Sequence, residues 1–265
     1  MSKILDVENL QISFSDHGKK LLIVKGISFN LHEGECIALV GESGSGKSII
    51  AKSILGLLPK EISKIECGKI IYKGKDLTLL SEKELRVYRG KEIGIIFQNP
   101  FSSFNPTMKV GKQIEENIIN RFAKTTKKEA YEKTIELFKL VGISGPEKRY
   151  SLYPHELSGG MLQRIMIAQI LSTKPKILIA DEPTTALDVT VQAQILELIK
   201  KIQNQLKMSV IFITHNLSLV SNFCSRVLVL YEGMIVESDH TKKIFYQPKD
   251  PYTIGLIKCI PKIDH

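Results

Sequence analysis

Short runs of β-branched and aliphatic residues alternate with stretches of helical spacing along most of the chain. Such runs predict strands that are buried on both faces, as in a parallel sheet. In residues 191–206 the apolar positions recur every three or four residues, which predicts a helix with one buried face. This alternation is typical of an open α/β sheet. The predicted strands are residues 36–40, 176–180, 209–214 and 226–231, and the predicted helix face is Ile195, Leu198, Ile199, Ile202 and Leu206.

Two regions depart from this alternation. Residues 1–35 have strand character with turn signals at 16–19 and at 33–34, which predicts a small antiparallel sheet. Residues 108–150 are mostly helical in pattern, and Gly142 is placed to end a helix over 127–141. Prolines on both flanks of this segment mark its limits. We therefore predict a helical insertion into the α/β core.

A glycine-rich stretch follows the first predicted strand and precedes a helix with apolar positions at 50, 54, 55 and 58. It matches the pattern GxxxxGK[ST], whose glycines let the backbone N–H groups surround a phosphate. The helix N-terminus adds partial positive charge. Lys47 is predicted to bridge the β- and γ-phosphates of a nucleotide and Ser48 to bind Mg²⁺. The predicted nucleotide-binding residues here are Gly41, Glu42, Ser43, Gly44, Ser45, Gly46, Lys47 and Ser48.

Two carboxylates end another apolar run. Asp181 is placed to hold Mg²⁺, and Glu182 could accept a proton from a water that attacks the γ-phosphate. An acidic pair after a strand is by itself more often a solvated loop. The glycine-rich stretch in the same chain favours the catalytic interpretation.

The stretch Leu-Ser-Gly-Gly-Met-Leu-Gln at 157–163 leads directly into a helical pattern. Here the sequence resembles the ATP-binding cassette family, whose signature is an LSGGQ-type loop, although position 161 is Met where Gln is commonest. The resemblance covers residues 3–240. It implies an α/β fold: a P-loop NTPase (RecA-like) core, an antiparallel β subdomain, and a helical subdomain inserted at about 100–158. Residues 1–240 would form the nucleotide-binding domain and 241–265 a C-terminal tail.

The resemblance also implies roles for single residues. Ser158, Gly159 and Gly160 would face the γ-phosphate of ATP held by a second subunit, and Asp188 would lie in a loop that crosses to that subunit. Gln98 would contact the metal and the attacking water, His215 would lie near the γ-phosphate, and Phe14 would stack on adenine. Taken singly, each has a structural alternative: a loop for Gln98, a helix N-cap for Asp188, a structural position for His215, and burial for Phe14. The implied catalytic residues are Glu182, His215 and Gln98, and the implied metal ligands are Ser48, Gln98 and Asp181.

Composition limits which other classes of protein the chain could belong to. The net charge of +9 comes from lysines spread along the chain, which favours a solvated basic surface, although it leaves a nucleic-acid-remodelling ATPase open. There is no run of about 20 apolar residues, as a membrane span requires. Acidic residues near the N-terminus argue against a signal peptide. The four cysteines are far apart, so we predict buried free thiols and neither a zinc site nor a disulfide framework.

A finer resemblance is to dipeptide, oligopeptide and nickel importers, carried by residues 98–106, 153–164, 181–188 and 248–253. The short tail, Met161-Leu162 and the Asn-Pro…Phe-Asn-Pro loop at 99–106 look more like the nickel-type subunit. We therefore expect an ATP-hydrolysing subunit, using ATP and Mg²⁺, that powers uptake of nickel or a related metal chelate; a di- or oligopeptide importer is the alternative. A cassette that only binds ATP is disfavoured because Glu182 is present.

The same resemblance implies partners and a location. The expected partners are two membrane-spanning permease subunits, a second and different ATP-binding subunit, and an extracytoplasmic solute-binding protein, with no nucleic acid. The expected location is peripheral, at the cytoplasmic face of the inner membrane.

Overall fold

The computed structural model describes residues 2–16, 19–185, 188–221 and 223–260. The chain divides into two compact units, residues 1–86 with 206–265, and residues 87–205. Along the described residues the strands are β1 (Lys3–Asp16), β2 (Lys19–His32), β3 (Cys36–Val40), β4 (Ser63–Tyr72), β5 (Lys75–Asp76), β6 (Ile93–Ile96), β7 (Ile177–Asp181), β8 (Ser209–Thr214), β9 (Arg226–Tyr231) and β10 (Met234–His240). The helices are α1 (Lys47–Ile54), α2 (Glu82–Tyr88), α3 (Val110–Arg121), α4 (Lys127–Leu140), α5 (Pro146–Tyr150), α6 (Gly159–Leu171), α7 (Val189–Leu206), α8 (Thr241–Tyr246) and α9 (Pro251–Lys258).

The first unit contains an antiparallel sheet in the order β2-β1-β4-β5. Alternate residues of β1, such as Leu10 and Ile12, are fully buried, as expected for a strand with one face on a core. The predicted sheet within residues 1–35 is therefore confirmed. Strand β4 was not predicted, because most of its positions are exposed or half-exposed and carry no continuous apolar signal.

The same unit contains a second set of strands, in the order β10-β9-β3-β8. β3 pairs in parallel with both β8 and β9, and β10 turns back antiparallel to β9. All residues of β3 and β8 are buried, which explains their unbroken apolar sequences. Three of the predicted strands are thus confirmed. α1 is shorter than its apolar pattern predicted: it ends at Ile54, because Gly56 adopts a positive φ of 61° and turns the chain.

The second unit pairs β6 with β7 in parallel and contains α3 to α7. The helical character of residues 108–150 is confirmed. α4 begins with a capping box between Thr126 and Glu129, and Gly142 follows its end with a φ of 76°. β7 lies one residue later than predicted and ends on Asp181. The prediction for the helix face was wrong at Leu206, the last residue of α7, which is 50% exposed.

The predicted helical subdomain, about residues 100–158, falls within the second unit, and the domain division stays a prediction. Among the described residues, no helix has both the length and the apolar character that crossing a membrane requires.

Candidate functional site

The phosphate loop, residues 41–48, joins β3 to α1 in the first unit. Lys47 is the first residue of α1 and is only 4% exposed. Its Nζ donates hydrogen bonds to the carbonyl oxygens of Gly41 at 2.8 Å and Glu42 at 2.7 Å. The loop therefore folds its backbone around a buried positive charge, an arrangement suited to an anionic ligand.

Two glycines make this loop possible. A Cβ on Gly41 would lie 2.1 Å from the carbonyl oxygen of Leu230, so no other residue fits there without a shift of the backbone. Gly46 has a φ of 104° and caps α1 without a side-chain hydrogen bond. The positive end of the helix is therefore directed at the loop with no acidic or hydroxyl side chain as its cap. These features fit the phosphate groups of a nucleotide.

The candidate catalytic base lies in the second unit, directly after β7. Asp181 is 5% exposed, and Glu182 follows it with a φ of 48°, a conformation that is uncommon for a residue with a side chain. The Glu182 carboxylate accepts hydrogen bonds from Gln98 Nε2 at 3.2 Å and from Thr185 Oγ1 at 2.9 Å. The structure thus brings Gln98 and Glu182 together. Both donors are neutral groups that orient the carboxylate.

The LSGGQ-type segment forms the start of α6. Ser158 is its N-cap and accepts a hydrogen bond from the Met161 amide at 3.3 Å. A Cβ on Gly160 would lie 3.0 Å from Val191 of α7, so the two helices approach closely here. Asp188 accepts a hydrogen bond from the Val191 amide at 2.9 Å and caps α7, which is the structural alternative for this residue. Its predicted role toward a second subunit stays a prediction, and residues 186–187 lie outside the described residues.

The remaining predicted site residues are in the first unit. His215 is exposed and follows β8 directly. Phe14 is partly buried on β1, opposite Leu21 of β2 and Ser63 of β4, and its predicted contact with adenine stays a prediction.

The predicted Mg²⁺ ligands Ser48, Gln98 and Asp181 stay a prediction. Among the described residues, no three His, Cys, Asp or Glu side chains are grouped as a metal site.

Two contacts of these loops were not predicted. Gln163, 1% exposed in α6, donates from Nε2 to the carbonyl oxygen of Pro183 at 2.8 Å, one residue after Glu182. The hydroxyl oxygen of Tyr252 in α9 accepts a hydrogen bond from the Glu42 amide at 3.0 Å. Both residues lie in stretches that carried the family resemblance, but neither pairing has a signal in local sequence spacing.

The prediction for the cysteines is right for two of the four. Cys36 and Cys224 are buried with their Sγ atoms 3.1 Å apart, and burial raises the pKa of the Cys224 thiol well above its usual range. Cys67 and Cys259 are exposed, so the prediction of burial was wrong for them. Cys67 lies on β4, whose positions are largely open to solvent, and Cys259 follows the end of α9.

Comparison with known proteins shows which family and which relatives the chain resembles. It matches the family model described as ABC transporter over residues 24–185. It is 51% identical over 264 residues to the oligopeptide transport ATP-binding protein OppD of Bacillus subtilis (strain 168), covering 100% of this chain and 74% of that protein. It is 50% identical over 264 residues to the dipeptide transport ATP-binding protein DppD of the same organism, covering 100% and 78%.

Solved structures confirm the predicted fold. A dimeric ATP-binding cassette, MJ0796, in a post-hydrolysis state bound to ADP and Pi, has a TM-score of 0.80 at 26% identity, covering 90% of this chain and 99% of that one. The cassette cbiO1 from Clostridium perfringens, part of the ABC transporter complex cbiONQ, has a TM-score of 0.78 at 30% identity, covering 93% and 92%. The chain belongs to the ABC transporter family, with its mixed α/β P-loop NTPase core, antiparallel β subdomain and helical part. It is an ATP-hydrolysing transporter subunit.

The expected nickel specificity is not supported, because the relatives named above are oligopeptide and dipeptide proteins. In the structure, Met161, Asn99 and Asn105, which had favoured nickel, take part in local hydrogen bonds. The Met161 amide donates a hydrogen bond to the residue that caps α6. The Asn99 and Asn105 side chains each accept a hydrogen bond from the backbone amide two residues later, at Phe101 and Thr107. These residues are used in local turns and caps, which carry no information about cargo.

Proposed function

We propose that this chain powers the import of short peptides, as the ATP-hydrolysing subunit of an ABC importer. One observation carries the proposal: the chain aligns along its whole length, at 51% and 50% identity, with an oligopeptide and a dipeptide transport protein. This is the alternative that the sequence left open beside nickel.

ATP would bind at the phosphate loop, with Phe14 against its adenine. The buried ammonium of Lys47 and the N-terminus of α1 support this assignment, because both favour the negative charge of a triphosphate. Ser48, Gln98 and Asp181 would bind Mg²⁺, which supplies charge neutralisation at the phosphates when bound.

Hydrolysis would use Glu182 as the base that accepts a proton from the attacking water. Its fixed contacts with Gln98 and Thr185 support this role, because a base must be held in one orientation to act on one water. We assign His215 to the vicinity of the γ-phosphate and Gln98 to the link between transporter state and chemistry.

Assembly would complete the site. We propose that Ser158, Gly159, Gly160 and Asp188 face ATP held by a second, different ATP-binding subunit. Two membrane-spanning permease subunits and an extracytoplasmic binding protein would complete the importer, with this chain at the cytoplasmic face of the membrane. Residues 1–240 would be the nucleotide-binding domain and residues 241–265 its tail.

Uptake assays test this proposal. In a strain lacking the chain, import of a radiolabelled dipeptide and a radiolabelled pentapeptide is measured after complementation with wild type, Lys47→Ala or Lys52→Ala. Lys52 is an exposed lysine of the same helix and serves as the matched control. We expect peptide uptake to be restored by wild type and Lys52→Ala and lost with Lys47→Ala. Restoration of ⁶³Ni²⁺ uptake in place of peptide uptake would refute the proposal.

A further inference from the structure

Within the first unit, residues 249 and 250 of the C-terminal tail are held on β10 by a pair of hydrogen bonds from their backbone amides. The carboxylate of Glu237 in β10 accepts from the Lys249 amide and from the Asp250 amide, each at 3.0 Å. Asp250 in turn caps α9 by accepting from the Tyr252 amide at 2.9 Å. The start of α9 therefore has a defined position on β10.

This position brings the side chain of Tyr252 to the phosphate loop, 210 residues away in sequence. Its ring packs on the ring of Tyr231, with centroids 4.3 Å apart and planes inclined by 37°. Its hydroxyl oxygen accepts the hydrogen bond from the Glu42 amide at 3.0 Å. The contact between the two rings orients the Tyr252 hydroxyl, and this hydroxyl holds the phosphate loop through the Glu42 amide.

Glu42 is thereby held on both sides of its backbone. Tyr252 binds its N–H, and the Lys47 ammonium binds its C=O at 2.7 Å. The turn between β9 and β10 touches the same loop, since the Gly233 amide donates to the carbonyl oxygen of Ser45 at 3.2 Å. The tail and this turn thus fix the backbone of the loop that surrounds the buried ammonium.

We propose that Tyr252 is a positioning residue for nucleotide binding: through Glu42 it holds the phosphate loop in the conformation that receives phosphate. The proposal rests on the proposed role of that loop in binding ATP. A loop that is already ordered loses less conformational entropy when its ligand binds. Removal of the Tyr252 hydroxyl is therefore expected to weaken nucleotide affinity through the loss of its hydrogen bond to the Glu42 amide.

Equilibrium binding of a fluorescent ATP analogue to the purified full chain tests this role. Tyr252→Phe removes the hydroxyl and keeps the ring, while Tyr246→Phe is the matched control, because Tyr246 lies in the same tail and is 83% exposed. We expect Tyr252→Phe to raise the Kd by about 3- to 10-fold, the usual range for one net hydrogen bond. Tyr246→Phe should leave the Kd unchanged. In the assembled transporter, Tyr252→Phe should raise the KM for ATP more than it lowers kcat.

A second variant weakens the contact between Tyr252 and Glu42 without changing either residue. Glu237→Ala releases the backbone at Lys249 and Asp250 while Tyr252 stays intact, and we expect it to weaken nucleotide binding in the same direction. The thermal midpoint without nucleotide is measured for every variant. A lower midpoint with an unchanged Kd in both variants would show a purely structural tail and overturn the proposal. Failure of the wild type to bind the analogue would instead refute the proposed function on which it rests.

Discussion

At the scale of single residues, the loop after β7 joins an unusual backbone to a candidate base. Glu182 is one of six non-glycine residues, among those the structure describes, with a positive φ, at 48°. Such a conformation costs of order 1–3 kcal/mol, and persists where surrounding contacts determine it. Here the hydrogen bonds from Gln98 and Thr185 are among those contacts. The loop therefore fixes where the carboxylate points, which is a requirement of general-base catalysis.

Replacement of Glu182 by Gln tests this residue because it keeps the shape and removes the proton acceptor. We expect steady-state ATP hydrolysis by the assembled transporter to fall by roughly 10²–10⁴-fold, with ATP binding retained. Glu197→Gln, an exposed glutamate on α7, is the control and should hydrolyse ATP at the normal rate. Near-normal turnover in Glu182→Gln would remove this residue from the base role.

At the scale of elements, burial decides much of what the sequence could reveal, although β6 was missed with three of its four residues buried because its apolar run is short. β3 and β8 are buried on every residue, so their apolar runs predicted them with correct bounds. β4 and β10 were missed because most of their positions are open to solvent and their sequences carry lysine, glutamate and aspartate. The phosphate loop and the start of α6 were predictable because the residues that form each motif are consecutive in the sequence. The pairings of Tyr252 with Glu42 and of Gln163 with Pro183 join distant segments, and no local spacing encodes them.

Helices α3 and α5 are joined by a polar cluster in which Glu115 and Tyr150 are buried and Lys112 is half-exposed. The Tyr150 hydroxyl donates to the carboxylate of Glu115, which also pairs with Lys112 Nζ at 2.8 Å. The ring of Tyr150 lies against Gly111, where an added Cβ would be 2.1 Å from its Cδ2. Burial, together with the hydrogen bond to Glu115, raises the pKa of Tyr150 to about 12. The cluster thus depends on a protonated tyrosine.

Tyr150→Phe should therefore change stability in a pH-dependent way. In the unfolded chain a tyrosine ionises near pH 10. Between about pH 10 and about pH 12 the unfolded state loses this proton before the folded state, so the stabilisation declines as pH rises. We expect Tyr150→Phe to lower the free energy of unfolding at neutral pH by roughly 1–3 kcal/mol, because it removes a buried hydrogen bond to a carboxylate.

Denaturant unfolding between about pH 8 and about pH 11 measures this difference. The gap between wild type and Tyr150→Phe should narrow toward the alkaline end, while Tyr246→Phe, which alters an exposed tyrosine, should match wild type throughout. A gap that stays constant across this range would show that Tyr150 titrates normally.

At the scale of the whole molecule, the predicted functional residues are divided between two units. The phosphate loop, Phe14 and His215 belong to the first, and Gln98, Glu182 and the start of α6 belong to the second. In the proposed assembly the start of α6 acts on ATP bound to a different subunit. Nucleotide binding by one chain and association of two chains should therefore be separable by mutation.

The Gly159→Asp substitution should leave nucleotide binding by one chain intact and prevent the association of two chains. Gly159 is the first residue of α6, where a carboxylate is favourable to the helix dipole, so the variant should fold. It should also bind nucleotide normally, because Lys47, Ser48 and the phosphate-loop amides are unchanged. Against the γ-phosphate held by the second ATP-binding subunit, however, the added carboxylate would meet like charge where water is excluded, and the repulsion should prevent ATP-driven association.

Gly159→Asn has nearly the same size without the charge and should retain more of the association. Size-exclusion chromatography with ATP, in the Glu182→Gln background and with the second subunit present, measures the outcome. Normal association of the Asp variant would place the start of α6 away from the partner's ATP.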